Sequence, residues 1–218
     1  MGPRLVTKFS LLEGLSDTDT RAVLMAARRR KFKRGEAICH EGDPGDTLFL
    51  IDRGHVAVRV TTPAGDTATM RVIGPGSQFG EIAVIDQTPR SASVIALDAV
   101  ETLSLHRDVI QMLRAQHPTI DQVLLKASLH QVRRLTTALT EALYLPVPRR
   151  LARTLHRLLE VFPEGVIPLT QDDVAGLCGT TRQTANEVLQ ALVADGAITL
   201  SRGRISVVDA AKLERAAR

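Results

Sequence analysis

Short segments of apolar and β-branched residues recur along one long stretch of the chain, from Lys31 to about Leu105. Short apolar runs are separated there by turn signals rich in glycine, which is typical of many short β-strands. Strands are expected over Ala37–Cys39, Thr47–Asp52, His55–Thr61, Thr67–Ile73, Ser93–Leu97 and Glu101–Leu105. Regularly spaced short strands predict a sandwich or a closed barrel, and a jelly roll is the architecture we expect.

Helical spacing, with apolar residues three and four positions apart, dominates on both sides of that stretch. Lys8–Arg30 predicts a helical lead-in, and Arg107–Ala115 predicts a short helix. Pro118–Tyr144 predicts a helix of roughly 25 residues, or about 37 Å. Its apolar stripe can pack on its own domain alone, or it can also pair with a second copy as a coiled coil. Two prolines then predict an interdomain hinge at Leu145–Pro148, and a further helix is expected over Arg149–Phe162.

The last third of the chain predicts a winged helix-turn-helix. Thr170 and Asp173 form a capping box that opens one helix, and after a tight glycine turn a second helix runs from about Thr181 to Asp195. The segments on either side of Ser201–Gly203 predict a hairpin, which would be the wing. The expected fold class is therefore α+β, with a β-roll domain over residues 1–117, a long helix over 118–145 and a winged helix-turn-helix over 146–218.

Composition and charge restrict the function classes. The 218 residues carry a net charge of +4, which permits a polyanionic partner. Aromatic residues make up only 3% of the chain and Trp is absent, which argues against stacking platforms for single-stranded nucleic acid. Basic residues cluster at four places that we interpret by default as solvated surface: Arg28 to Lys31, Arg133-Arg134, Arg149-Arg150 with Arg153, and Arg202 with Arg204.

Catalysis, metal binding and membrane insertion are not expected. Cys39 and Cys178 form no metal-ligand pattern, which also disfavours an iron–sulfur cluster. The six histidines show no paired metal spacing, and no serine or cysteine lies in a nucleophile motif. No apolar run approaches the ~20 residues of a membrane span, and no signal peptide opens the chain, so we expect a cytoplasmic protein.

The run Phe79–Ser93, which we call the cassette, has the most specific chemistry. Gly80 can bring bare backbone close to a ligand, and Arg90 can bind two oxygens of one phosphate. Since a phosphate repels a carboxylate, Glu81 is better suited to accept hydrogen bonds from sugar hydroxyls. These groups, with Ser91, suggest a site for a sugar phosphate. The alternative is an ordinary exposed ion pair between Glu81 and Arg90 in a β-turn.

The start of the second helix of the helix-turn-helix concentrates side chains suited to base recognition. Arginine pairs with guanine, glutamine or asparagine with adenine, and glutamate with cytosine. The candidate DNA contacts are Thr181, Arg182, Gln183, Thr184, Asn186 and Glu187, with Arg202 and Arg204 on the wing as phosphate anchors. A winged helix that mediates protein contacts is the alternative.

The cassette resembles the phosphate-binding cassette, Phe-Gly-Glu…Pro-Arg-Ser/Ala-Ala, of the cyclic-nucleotide-binding domains in CRP/FNR regulators and protein kinase A regulatory subunits. The resemblance implies that Glu81 holds the ribose 2′-hydroxyl and that Arg90 pairs with the cyclic phosphate. The candidate nucleotide-binding set is Gly80, Glu81, Ile82, Arg90 and Ser91, with Thr136 and Thr137 as the candidates on the long helix.

The second helix resembles the CRP/FNR recognition-helix motif, in which Ser/Thr precedes Arg-Glu-Thr-Val. Arg182 keeps the family's guanine contact. Gln183 replaces the usual acid, and Glu187 stands where the cyclic AMP receptor type of this family has a second arginine. A central operator sequence different from the one bound by that type is therefore expected.

Together these likenesses imply a homodimeric transcription regulator of the CRP/FNR type, with a cyclic nucleotide, expected to be cyclic AMP, as its effector. The implied partners are a palindromic duplex operator, a second copy of the chain and RNA polymerase. Two alternatives stay open: a regulator that binds DNA without any cyclic nucleotide, and a nucleotide-binding regulatory subunit that docks on a protein.

Overall fold

A computed structural model describes residues 8–218, which divide into two compact units. The first unit consists of the residues up to Ala57 together with Ile73–Arg134, and the second of Val58–Val72 together with Leu135–Arg218. The chain therefore contributes two separate segments to each unit, and the predicted long helix continues from one unit into the other.

The amino-terminal segment is only partly helical. A short 3-10 turn, Ser10–Leu12, precedes α1 (Asp17–Ala26). The chain then forms β1, Arg28–Phe32, so the prediction of a helical lead-in up to Arg30 was wrong over its last three residues. The basic residues of this strand are exposed, as predicted for a solvated run, and they lie at the edge of a sheet. Arg29 explains part of this difference, because it donates hydrogen bonds to Asp52 at 2.9 Å and Glu101 at 2.6 Å on two other strands of the same sheet.

Seven further strands follow β1: β2 Ala37–Cys39, β3 Thr47–Arg53, β4 Val56–Thr61, β5 Thr67–Ile73, β6 Gln78–Phe79, β7 Ser93–Ala96 and β8 Val100–His106. With β1 they form the two four-stranded sheets of the β-roll, in the orders β1-β8-β3-β6 and β2-β7-β4-β5. The antiparallel pair of β3 and β8 places Leu48 opposite Leu105 and Leu50 opposite Leu103. All six predicted strands are present to within one residue at each end. Two short strands, β1 and β6, were not predicted.

Three helices complete the first unit: α2 (Glu81–Asp86), α3 (Arg107–Gln116) and the start of α4 (Thr119–Tyr144). One face of the β3–β8 pair packs with these helices and the amino-terminal segment around an apolar core. Its buried members are Phe9, Leu11, Val23, Leu48, Leu50, Val84, Leu103, Leu105, Ile110, Leu113, Ile120, Val123 and Leu124. Burial of this many large apolar side chains is the main stabilising term of such a layer.

Helix α4 buries apolar side chains near its start and exposes them further along. Ile120, Val123 and Leu124 are buried. The exposed apolar residues are Leu125, Leu129, Val132, Leu135, Leu139, Leu143 and Tyr144. Within residues 8–218, no helix combines the length and apolar character needed to cross a membrane.

The second unit carries the remaining elements: α5 Val147–Val161, β9 Val166–Ile167, α6 Gln171–Cys178, α7 Arg182–Ala194, β10 Ile198–Ser201, β11 Arg204–Val207 and α8 Ala210–Ala217. The strands form a small antiparallel sheet in the order β10-β11-β9. The predicted helix-turn-helix and wing are present. Strand β9 and helix α8 were not predicted.

The connection between α4 and α5 is shorter than predicted. Only Leu145 and Pro146 separate the two helices, and Pro146 is the N-cap of α5. Pro148 belongs to the first turn of α5, where a residue without a backbone N–H loses no helical hydrogen bond. The prediction of a four-residue hinge therefore included two residues that are helical.

Arg150 corrects the interpretation of its basic cluster as solvated surface. Only 8% of the residue is exposed. Its guanidinium donates to five main-chain carbonyls: Glu141, Ala142 and Leu145 at the end of α4, and Cys178 and Gly179 at the end of α6. Carbonyls at helix ends lack an intrahelical donor, and a cation there also interacts favourably with the helix dipole.

Candidate nucleotide and DNA sites

Gly80 fixes the geometry at the start of the cassette helix. It is the N-cap of α2, with φ 84° and ψ 6°, a left-handed conformation that favours glycine. A Cβ atom at this position would overlap the Arg90 guanidinium and would lie 2.8 Å from the Thr47 carbonyl oxygen. The next residue, Glu81, is the first of α2 and is buried. Glycine is therefore required for the close approach of Arg90 to this turn.

Arg90 is a buried cation, with only 6% of the residue exposed. Its Nη2 donates to the Thr47 carbonyl at 2.5 Å, and its Nη1 donates to the Gly80 carbonyl at 3.3 Å. The guanidinium carbon lies 5.8 Å from the ring centroid of Phe49, which stacks on Phe79 at 4.9 Å. These contacts hold the guanidinium in one orientation.

The Nε atom of Arg90 is buried and has no hydrogen-bond partner among the described residues. A buried donor left without an acceptor costs about 1–3 kcal/mol. A phosphate oxygen is an acceptor of the right charge for this N–H, and its charge would offset that of the guanidinium. The residues present therefore fit an anionic ligand.

A loop between β2 and β3 holds the carboxyl end of the cassette. The Arg90 N–H donates to the Asp43 carbonyl at 2.8 Å, and the Gly42 N–H donates to the Arg90 carbonyl at 2.9 Å. Gly45 packs so closely against α2 that a Cβ there would overlap that of Ala83. The backbone on both sides of the Arg90 side chain is thus fixed by main-chain contacts.

The first unit brings together five of the predicted nucleotide-binding residues. Ile82 and Ser91 are exposed and lie next to the buried pair of Glu81 and Arg90. Thr136 and Thr137 belong to the part of α4 in the second unit, and both are exposed. Their assignment to the nucleotide site stays a prediction.

Sequence reasoning missed two partners of Arg90, the Thr47 carbonyl and the Phe49 ring. A main-chain carbonyl has no side-chain identity, so no sequence signal marks Thr47. Phe49 lies in a predicted apolar strand, where an aromatic residue is ordinary. Within residues 8–218, no group of three or more histidine, cysteine or acidic side chains could hold a metal ion.

The helix-turn-helix has the caps that its sequence predicts. The Thr170 Oγ1 accepts from the Asp173 N–H at 3.1 Å, and the Asp173 carboxylate accepts from the Thr170 N–H at 3.0 Å. Gly179 ends α6 in a left-handed conformation, with φ 59°. Thr181 caps α7 by accepting from the Thr184 N–H at 3.2 Å.

The predicted DNA contacts lie on the outer side of α7 and on the wing. Arg182 has a side chain that is 70% exposed, with Nη1 3.4 Å from Asp172. The Gln183 amide donates to Glu187 at 3.3 Å, and the Gln171 amide donates to Asn186 at 3.0 Å. The remaining candidates are exposed or half-buried: Thr181, Thr184, Arg202 and Arg204. A cavity of about 310 Å³ lies between the α6 start, Arg182 and the wing strands.

Two parts of the chain match known domain families. Residues 29–117 match the cyclic nucleotide-binding domain, and residues 149–216 match the Crp-like helix-turn-helix domain. The fold and these matches together define a cyclic nucleotide-binding transcription regulator with a helix-turn-helix.

The chain is similar over nearly its whole length to characterised regulators. It is 34% identical over 210 residues to the cyclic AMP receptor protein of Thermus thermophilus, covering 95% of this chain and 96% of the relative. It is 29% identical over 221 residues to the CRP-like cAMP-activated global transcriptional regulator of Mycobacterium tuberculosis, covering 98% and 99%. The crystal structure of the Thermus thermophilus catabolite activator protein aligns with a TM-score of 0.58 at 30% identity, covering 95% of this chain and 98% of that one. The chain belongs to the CRP/FNR family of transcription regulators, which confirms the resemblance found in its motifs.

Proposed function

We propose that the protein is a homodimeric regulator whose affinity for a palindromic duplex operator is set by cyclic AMP bound at the cassette. The observation that carries the proposal is the buried Arg90 guanidinium, whose Nε has no acceptor within the described residues. Burying a cation is costly unless an anion or a full set of acceptors accompanies it. A cyclic phosphate supplies both the charge and the acceptor.

In this proposal Gly80, Glu81, Ile82, Arg90 and Ser91 form the nucleotide site, and Thr136 and Thr137 of α4 contact the base. Arg90 binds the phosphate, and the Glu81 carboxylate accepts from ribose hydroxyls. The names of the Thermus thermophilus and Mycobacterium tuberculosis relatives support cyclic AMP as the effector.

Three functional domains follow from this assignment. We place the nucleotide-binding domain at residues 1–117, the dimerisation helix at 118–145 and the DNA-binding domain at 146–218. The family matches over residues 29–117 and 149–216 support the first and third of these ranges.

Dimerisation is supported by the exposed stripe of α4. Leu125, Leu129, Val132, Leu139 and Leu143 are all exposed. Successive members lie four, three, seven and four residues apart, and Thr136 lies inside the interval of seven. With Thr136 included, the spacing alternates between four and three residues, as in a heptad repeat. Such a stripe is stabilised when a second helix covers it. Two copies related by a two-fold axis would place their recognition helices about 34 Å apart, one turn of duplex DNA.

DNA recognition is assigned to α7 and the wing. The proposed base contacts come from Arg182, Gln183, Asn186 and Glu187. The proposed phosphate contacts come from Thr181, Thr184, Arg202 and Arg204. Gln183 and Glu187 bond to each other one turn apart, so they face the same region of the groove. RNA polymerase is the further partner that we propose for the DNA-bound dimer.

Calorimetry with cyclic AMP and cyclic GMP tests the nucleotide site. Arg90→Lys keeps the charge but removes the Nε–H and the planar fork, so we expect roughly a tenfold or greater loss of affinity for cyclic AMP. Arg34→Lys, at an exposed position of the same unit, is the matched control and should bind like the wild type. Equal binding by both variants would refute the role of Arg90. A wild type that binds duplex DNA but neither nucleotide would favour the nucleotide-independent regulator.

A further inference from the structure

Within the second unit, the β4–β5 hairpin is hydrogen-bonded to α6, the first helix of the helix-turn-helix. The Thr69 hydroxyl donates to Asp173 Oδ1 at 2.7 Å, and Arg59 Nη2 donates to the same oxygen at 2.9 Å. Arg59 Nε also donates to the Thr69 hydroxyl at 3.3 Å. Only 2% of Thr69 and 6% of Asp173 are exposed. We call these three residues the Asp173 clip.

The backbone of the hairpin also packs directly on α6, at Gly176. A Cβ atom on Gly176 would lie 2.6 Å from the Thr69 nitrogen and 3.1 Å from its carbonyl oxygen. Glycine inside a helix is less favourable than alanine by roughly 0.5–1 kcal/mol, so its presence indicates a packing requirement. The requirement here is the main chain of β5.

The Asp173 carboxylate takes part in two structures at once. Its Oδ2 closes the capping box with Thr170 at the start of α6, while its Oδ1 binds the hairpin. Burial raises the pKa of Asp173, but hydrogen bonds from Thr170 and Thr69 and the charge of Arg59 outweigh it, and the net pKa is lowered. The carboxylate is therefore ionised at neutral pH, as both sets of hydrogen bonds require.

The position of the clip on α6 links it to the DNA-binding surface. Thr170, Gln171 and Asp172, which immediately precede Asp173, line the cavity that Arg182 and the wing complete. A change in how α6 is held therefore acts on the residues beside the recognition helix.

The base of the hairpin is linked through bonded neighbours to the cassette. Both ends of the hairpin continue into the first unit, and His55 precedes β4 directly. The His55 N–H donates to Asp98 at 2.8 Å, and its carbonyl accepts from the Leu97 N–H at 2.8 Å. Leu97 follows β7 (Ser93–Ala96), which begins three residues after Arg90. Few residues thus separate the nucleotide-binding arginine from the strands that reach α6.

We propose that the Asp173 clip is the contact that couples the cassette to the helix-turn-helix. In this proposal the clip forms in only one of two conformations of the regulator. The strength of the clip therefore sets how far the bound nucleotide changes the affinity for DNA. A ligand shifts such an equilibrium only through contacts that differ between the two states, and the clip is such a contact. This inference rests on the proposed function.

Thr69→Val tests the clip, because valine keeps the shape of threonine and removes the hydroxyl. Thr67→Val is the matched control, since Thr67 is exposed on the same strand. For each variant, fluorescence anisotropy gives the Kd for a duplex selected from a random library, with and without saturating cyclic AMP. We expect the ratio of the two Kd values to change by roughly fivefold or more in Thr69→Val, and to stay within about twofold of the wild type in Thr67→Val.

Gly176→Ala provides a second, independent disruption, because the added methyl group displaces the hairpin while favouring the helix. Its ratio should shift in the same direction as that of Thr69→Val, and circular dichroism confirms that each variant is folded. If both variants kept the wild-type ratio of Kd values, or if their ratios shifted in opposite directions, the coupling role of the clip would be refuted while the proposed function would stand. If the DNA affinity of the wild type did not depend on the nucleotide, the proposed function would be refuted, and so would the coupling role of the clip.

Discussion

Replacing Arg150 by lysine tests whether a buried guanidinium holds the junction of α4, α5 and α6 together. The guanidinium donates to five carbonyls, with its shortest bonds to Cys178 at 2.5 Å and to Leu145 at 2.9 Å. A lysine ammonium has three donors at one point instead of five in a planar fork. At least two of the five carbonyls therefore lose their charged donor in Arg150→Lys.

The expected cost follows from these lost bonds. A hydrogen bond to a charged group contributes about 1.5–3 kcal/mol to stability. Two lost bonds would cost about 3–6 kcal/mol, and since carbonyls at helix ends can recover some hydration, we expect about 3 kcal/mol. That is a large part of the ~5–15 kcal/mol by which a folded protein is usually stable.

The sole tyrosine of the chain, Tyr144, gives a local probe for this measurement. It is the last residue of α4, one position before Leu145, so its emission during urea unfolding follows the second unit. Arg149→Lys is the matched control, because Arg149 is the exposed neighbour of Arg150 and should change stability by no more than about 0.5 kcal/mol. Equal unfolding midpoints for the two variants would refute the reasoning.

Three further predictions concern DNA, assembly and thiol chemistry. Arg182→Ala should weaken binding to the selected duplex by about 1–3 kcal/mol in anisotropy titrations, whereas the control Arg215→Ala on α8 should leave that affinity unchanged. Equal losses of affinity in the two variants would contradict base recognition by Arg182. Leu139→Asp introduces a charge into the exposed stripe of α4 and should give monomers in analytical ultracentrifugation, and a stable dimer would contradict the coiled coil. Burial raises the pKa of Cys178 to about 11 and also raises that of Cys39, so both thiols should react with Ellman's reagent at pH 8 far more slowly in native protein than in denaturant. Rapid labelling of the native protein would contradict this.

Elements with strong local signals could be predicted from the sequence. Strand β5 was predicted with its observed bounds, Thr67–Ile73, because turn residues bracket a short segment of β-forming residues. Helix α4 begins one residue after the predicted start and ends at the predicted Tyr144. The capping box of Thr170 and Asp173 was predicted from residue types alone and is present with both hydrogen bonds.

The errors have a common physical cause, which is stabilisation by distant residues. Strand β1 consists of four basic residues and Phe32, and no local pattern predicts a strand there. It forms because β8 pairs with it, and because Glu101 accepts from both Arg29 and Lys31. Strand β9 has two residues, too few for any periodicity.

The cassette was predictable as a set of side chains but not as a geometry. Gly80, Glu81 and Arg90 were identified by residue type and spacing. The Thr47 carbonyl, which orients the guanidinium, belongs to a strand more than forty residues earlier in the chain. Only the fold shows which carbonyls are close enough to hold the arginine.

The two arginines that are buried within residues 8–218, Arg90 and Arg150, differ in how completely their guanidinium groups are hydrogen-bonded, and we expect Arg150 to be structural and Arg90 to bind a ligand. All three guanidinium nitrogens of Arg150 donate to carbonyls, whereas Arg90 has a buried Nε with no acceptor within residues 8–218. A structural cation gains stability from complete pairing, and we expect the phosphate of a bound ligand to complete the pairing of Arg90.

The same substitution should therefore have different effects at the two positions. Arg150→Lys should lower the free energy of unfolding by about 3 kcal/mol, since every donor that is lost had an acceptor. Among the described residues the Arg90 guanidinium donates to only two carbonyls, no more than the three donors of a lysine ammonium can serve, so Arg90→Lys should cost at most about half as much stability while removing most of the affinity for cyclic AMP. Urea unfolding and calorimetry on both variants give the two quantities. Equal destabilisation, with nucleotide affinity retained in Arg90→Lys, would mean that Arg90 is as structural as Arg150, and the proposed nucleotide site would lose its principal residue.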